Sequence, residues 1–378
     1  MPTAPSSRSF HRYRRGNRKC NLFERETEMK IVTVVGARPQ FIKAAALSRR
    51  LRNSHQEVLV HTGQHYDYEM SGIFFDGLKI PAPDVSLGVG SGNHGAQTGA
   101  MLQKIEQVLL TEKPNWVVVY GDTNSTLGGA LAAAKLHIPV AHVEAGLRSF
   151  NRRMPEETNR VLTDHLSNLL FCPSDTAIKN LAAEGIIQNT HLVGDIMLDI
   201  LNWAREGEAW KTSGILDKLD LKEKRFFLCT VHRSENTDDI SRLSGILKAL
   251  NALEKTVVFP VHPRTRKVIA EGNFALKPHI KMIEPVGYLD MVRLVAAAQT
   301  VLTDSGGLQK EAYWLGVPCV TLRDETEWVE TVVAGWNRLA GAVPNQIVEA
   351  AQDFGAPTQH PNLYGDGSTA TQCCALLN

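Results

Sequence analysis

The sequence predicts an α/β protein: two parallel sheets, one in each half of the chain, facing a cleft between them. Three observations predict it. Strand and helix patterns alternate along most of the 378 residues, the arrangement that gives parallel sheets with right-handed crossovers. The length exceeds that of one ordinary domain, so two are expected. The same device also occurs twice, at residues 29–43 and 300–309: a β-branched strand runs into a glycine turn and a helix start. A helix start offers free N–H groups and the positive end of the dipole, so two of them suggest two halves gripping one phosphorylated ligand.

The elements follow in order. Strands are expected at residues 31–35, 57–61, 116–120, 140–144, 169–172 and 191–193, then at 226–230, 256–261, 280–283, 300–302 and 319–322. Helical patterns lie between them, at 44–51, 97–110, 126–135, 157–167 and 308–315. Residues 1–28 differ in kind, rich in arginine and serine, and no acidic residue occurs before Glu24. That composition has the flavour of a transit peptide. The simpler reading is an upstream start or added leader, with Met29 as the functional start. The first domain is then expected over 29–205 and a charged, weakly patterned linker over 206–224. The second domain is expected over 225–364, and a capped helix over 365–378 rejoins the first.

Composition excludes several classes. A formal net charge of +1 with no basic stripe gives no nucleic-acid footprint. Nowhere do about 18 apolar residues run together, so no membrane span is expected. The six cysteines are scattered without metal-ligand spacing. Cys172, Cys229 and Cys319 sit in apolar runs as small buried hydrophobes, which suits a reducing, cytoplasmic home. Gly88-Val89-Gly90-Ser91-Gly92 reads as a flexible loop, because no strand-to-helix turn surrounds it. Walker, HExxH and EF-hand patterns are missing, and no metal is expected.

Ligands of open α/β sheets bind beyond the carboxyl ends of the strands. Asp122, Glu144 and Glu156, with His232, Arg38 and Lys43, occupy or follow such ends and suit proton transfer beside a phosphate. Each has a plainer reading. Asp122 before Thr123 is an N-cap candidate, Glu156 and Glu157 are ordinary first-turn acids, and His262 before Pro263 is as readily structural. Glu144 ends an apolar strand, where an unpaired charge would be costly. Ser305, outside any nucleophile-elbow context, suits phosphate binding at a helix start.

Five motifs together carry a resemblance: Gly36-Ala37-Arg38-Pro39-Gln40, Gly121–Thr126, His142–Arg148, Pro155–Arg160 and Leu302–Gly307. From Met29 onward the chain closely resembles the non-hydrolysing UDP-N-acetylglucosamine 2-epimerases. The resemblance implies the glycosyltransferase-B fold, two Rossmann-like domains around a cleft. It implies C2 epimerisation by elimination of UDP to a 2-acetamido-glycal and readdition, with no cofactor, in a cytoplasmic homodimer serving cell-surface polysaccharide synthesis. By motif match, Asp122, Glu144 and Glu156 become acid/base candidates, and His232 assists the leaving diphosphate. Arg38, Lys43 and Arg160 supply charge; Ser305, Gly306 and Gly307 hold phosphate oxygens; and Glu311 takes the ribose. Val286 and Met291 complete the substrate-binding set. Where the family commonly reads Thr-Glu-Arg-Pro-Glu, this chain has Thr326-Glu327-Trp328-Val329-Glu330, losing a cation although Arg323 is close. With Thr62-Gly63-Gln64-His65 this looks more like the branch acting on UDP-2,3-diacetamido-glucuronate, for which Arg148, Arg152 or Arg153 could add a cation. Gln64 is followed by Asp67 and the 88–95 loop lacks Arg-Gln, so activation by a second nucleotide sugar is not expected. A glycosyltransferase of the same fold is the alternative from another class, and three carboxylates around the donor sugar argue against it.

Overall fold

The computed structural model describes residues 28–63 and 82–377. The leader up to residue 27, with Cys20, lies outside the described residues, as do Gln64, His65, Asp67 and the side chain of Arg38. Among the described residues no helix is long and apolar enough to cross a membrane.

The first sheet has seven strands: β1 (Lys30–Val35), β2 (Gln56–His61), β3 (Val85–Ser86), β4 (Trp116–Tyr120), β5 (Val140–Val143), β6 (Leu169–Cys172) and β7 (Thr190–Leu192). Their order is β3-β2-β1-β4-β5-β6-β7, with every pairing parallel. The second sheet has six: β8 (Phe226–Thr230), β9 (Thr256–Pro260), β10 (Ile280–Ile283), β11 (Thr300–Thr303), β12 (Cys319–Thr321) and β13 (Asn337–Leu339). Their order is β10-β9-β8-β11-β12-β13, again parallel. Helices lie on both faces, so strands such as Val-Val-Val-Tyr of β4 are apolar on both sides and wholly buried. The expected α/β class with two parallel sheets stands.

Two strands escaped the sequence reading. The two-residue β3 and the three-residue β13, with one apolar side chain, are too short to carry a pattern. Because of β3, the glycine loop at 88–92 does connect a strand to a helix, His94–Glu112, contrary to the expectation. The helix after β1 also begins earlier than its apolar pattern, at Arg38. Gln40 explains this: its side-chain oxygen accepts from the N–H groups of Gly36 (2.8 Å) and Ala37 (3.0 Å). Its amide donates to the Tyr120 carbonyl at 2.7 Å, pinning this turn to the end of β4. A Cβ on Gly36 would lie 1.9 Å from Ser125 Oγ and 2.2 Å from Thr62 Oγ1, so only glycine fits there.

The expected linker holds two short helices, Glu208–Lys211 and Ile215–Lys218. The last helix, Thr369–Leu376, buries Ala370 and Cys373 in one cluster with Ile31, Leu47 and Ile200 of the first half. Its cap is not its own, since Ser368 makes no capping bond. Asp199 accepts from the N–H groups of Thr369 (3.2 Å) and Ala370 (2.9 Å) instead.

Candidate active site

In each sheet the strand order reverses once, between β1 and β4 and between β8 and β11. Such switch points open a crevice at the strands' carboxyl ends. The sequence-derived site residues follow from that placement. Gly36 leaves β1, Asp122 follows β4, His232 follows β8, and Ser305 follows β11.

On the first half, Asp122 is not a helix cap. Thr123 performs that task, accepting from the Thr126 N–H at 3.3 Å, which frees the Asp122 carboxylate to pair with Arg160. Arg160 is buried and also lies 3.4 Å from Glu157 and 3.6 Å from Glu327. Burial alone would weaken its hold on its proton, but three carboxylates raise it further. Arg160 was expected as a cation for the diphosphate, and here it is ringed by acids.

Glu144 leaves β5 with φ of +74°, a left-handed conformation rarely adopted by non-glycine residues. One carboxylate oxygen pairs with Lys43, and the other with Lys310 at 3.2 Å. Burial would push this carboxyl upward, yet the two ammonium groups bring it down to about 2. The strand therefore ends one residue before the expected Glu144. A Cβ on Gly121 would sit 3.2 Å from Glu144 Oε2 and 3.3 Å from Lys43 Nζ, so the turn that carries Asp122 lies against Glu144, at the ends of adjacent strands. Beneath them is the fully buried His142. Its Nδ1 is 2.7 Å from Asp164 and its Nε2 is 2.7 Å from the Gly121 carbonyl. It holds the turn that carries Asp122.

On the second half, Asp304 is wholly buried and accepts from the N–H groups of His232 (3.0 Å) and Arg233 (3.0 Å) and from Asn236 (3.2 Å). The His232 ring, half exposed, sets Nδ1 3.1 Å from the same carboxylate. Burial raises Asp304, but His232 and these donors hold it below the usual carboxylate range. Ser305 caps the helix Gly306–Trp314. Ser305, Gly306 and Gly307 remain partly accessible at its start. Glu311 is buried beside Tyr288, whose hydroxyl is raised first by burial and then by that carboxylate. Val286 and Met291 are half buried against the second core.

Several expectations need correction. Arg148 is not an available cation: it is buried, donating to Asp164 (2.7 Å) and to both oxygens of Glu184 (2.7 and 2.8 Å). Arg152 and Arg153 stay exposed. Glu157 is structural, accepting from Ser149 and Phe150, whereas Glu156 is half exposed. Arg323 is buried and paired with both oxygens of Glu327 at 2.9 and 3.2 Å, so it does not replace a missing cation either. The Trp328 ring does bring one: the Lys310 ammonium lies 3.7 Å from its centroid. Lys310, Asp195, Glu327 and Asp304 went unassigned in the sequence. Lys310 in Gln-Lys-Glu-Ala looks like an ordinary exposed helix turn, and only distant partners show otherwise. Among the described residues no group of three metal-ligating side chains occurs.

Two doubly wound parallel sheets, meeting through ion pairs at their strand ends, define the glycosyltransferase-B class. A calicheamicin glycosyltransferase shares this fold at 15% identity with a TM-score of 0.52. A family model described as UDP-N-acetylglucosamine 2-epimerase matches residues 49–378. The chain belongs to that family, the non-hydrolysing UDP-N-acetylglucosamine 2-epimerases, which are isomerases. A UDP-N-acetylglucosamine 2-epimerase homolog of Methanococcus maripaludis is 53% identical over 92% of this chain and 99% of its own length. The UDP-2,3-diacetamido-2,3-dideoxy-D-glucuronate 2-epimerase of Pseudomonas aeruginosa is 50% identical with the same two coverages. The crystal structure of the Methanocaldococcus jannaschii UDP-GlcNAc 2-epimerase with UDP-GlcNAc and UDP is 43% identical, with a TM-score of 0.87. That alignment covers 92% of this chain and 99% of the other.

Proposed function

We propose that this protein interconverts UDP-N-acetylglucosamine and UDP-N-acetylmannosamine. A carboxylate takes the C2 proton as the C1–O bond to UDP breaks, leaving a 2-acetamido-glycal. A proton then returns to the opposite face of C2, and the UDP oxygen re-forms its bond to C1. The electrons return to the carbon they left, so no redox partner is required. The observation that carries this reading is the pair Asp122 and Glu144, which follow the ends of adjacent strands, each with a cation already in place. Proton transfer needs a fixed carboxylate, and a departing diphosphate needs positive charge and N–H donors. Asp122 and Glu144 act as acid and base, assisted by Glu156 and Lys43. His232, with Ser305, Gly306 and Gly307, attends the diphosphate with Arg38 and Arg160, and Glu311 the ribose. The reading extends to a cytoplasmic homodimer.

One observation favours a second substrate with the same chemistry, a UDP-2,3-diacetamido uronate: the Pseudomonas aeruginosa relative at 50% identity carries that name. Incubation with each UDP-sugar in deuterated water tests both. Deuterium at C2 of both epimers is expected for the true substrate, and protium retained with both sugars would refute the enzyme reading.

A further inference from the structure

Lys310 is an ammonium group in a place where charge is expensive. It lies one turn into the helix Gly306–Trp314 of the second half, and it is 1% exposed. A buried ammonium persists only with partners. Its partners come from the first half: Asp195, at the start of the helix Ile196–Glu206, and Glu144 at 3.2 Å. The Trp328 ring covers it at 3.7 Å and the Trp314 ring lies at 5.8 Å. Burial alone would strip its proton, but Asp195 and Glu144 raise its hold on it. Glu144 thus has each oxygen on a different ammonium, Lys43 from its own half and Lys310 from the other. Asp199, Tyr288 and Tyr364 also lie in the field of Asp195.

We propose that Lys310 is a positioning residue for the epimerisation: inserted from the second half, it fixes the Glu144 carboxylate and completes that geometry only when the halves meet. The inference rests on the function proposed above. It gives Trp328 a role as well, as the lid that keeps water from the Lys310 ammonium. With Lys310 absent, Glu144 retains Lys43 alone; its burial is then less well compensated, and its carboxyl rises. The carboxylate also gains freedom to rotate about the Lys43 contact. A misdirected acid/base group lowers kcat more than it raises KM.

The test uses the full chain in two variants, Asp195→Asn and Asp195→Asn/Lys310→Met. The double variant removes the ammonium without stranding Asp195 as an unpaired charge, and the methionine stem can still pack beneath Trp328. Relative to Asp195→Asn, the double variant is expected to lose about tenfold or more in kcat with KM within about threefold. The acidic limb of its kcat–pH profile should move up by about one unit. Equal kcat and an unmoved limb in the two variants overturn the proposal. So does a double variant that fails to fold while Asp195→Asn folds, since Lys310 is then purely structural. The wild-type protein runs alongside in deuterated water. If it leaves C2 of both UDP-sugars unlabelled, the proposed function itself falls, which distinguishes that failure from this one.

Discussion

The two halves of the molecule share one topology and use it differently. Beyond β4 and β5 the first half sets ionised side chains, Asp122 and Glu144, each already paired with a cation. Beyond β8 and β11 the second half sets backbone. Asp304 there is spent on N–H groups of the 232–236 turn, leaving a half-exposed His232 and the open start of the helix Gly306–Trp314. The first half is thus equipped for proton transfer and the second for holding an anion. The contrast is broken where charged groups of the second half cross to charged partners of the first, among them Lys310 to Glu144 and Glu327 towards Arg160.

If chemistry resides on the first half, exchanging Asp122 or Glu144 for its amide should lower kcat by about 10²- to 10⁴-fold. UDP binding measured by calorimetry should change little. Equal losses of UDP affinity and kcat would contradict the division between the halves. Arg160→Met should lower stability as well as activity. It takes the cation from Asp122 and leaves Glu157 with Ser149 and Phe150 and Glu327 with Arg323, at a cost of about 1–3 kcal/mol, read from denaturant midpoints. A loss below about 1 kcal/mol would mean that water already shares these pairs. Gly36→Ala drives a methyl into Ser125 and Thr62 and should cost about 1–3 kcal/mol. Pairing it with Ser125→Ala should recover part of that loss.

The smallest effect concerns pH. Glu144 and Glu327 are both brought to about 2 from an ordinary 4.5, by Lys43 and Lys310 in one case and by Arg323 and then Arg160 in the other, against the opposing effect of burial. A depressed folded-state value contributes stability that is full above the unfolded value and lost as pH falls through the folded one. Melting temperature should therefore fall between pH 4.5 and 2, and the fall should be shallower in Glu327→Gln. An identical slope in that variant would remove Glu327 from the account.

Much of this was legible in the sequence. The β-branched runs give most of the strands, and the residues that follow them give Asp122, Glu144, His232 and Ser305, because strand and crossover geometry fix where strand ends lie. What escaped depends on distance along the chain. Lys310 meets Glu144 across 166 residues and Asp195 across 115, and no local periodicity encodes such a pairing. Arg148 misled for the same reason. Its sequence neighbours leave it a free cation, but Glu184, 36 residues on, folds back to take its guanidinium. Trp328 read as a lost charge, and the structure shows an aromatic face turned to a lysine no motif had marked.

The return of the final helix to the first half has a mechanical consequence. The chain passes from one half to the other before β8 and comes back before residue 369, so two covalent tethers join the bodies. Two tethers leave one easy swing, about the line through both, and resist twisting about any other axis. Any swing of one half against the other would part Lys310 from Glu144 along that same arc.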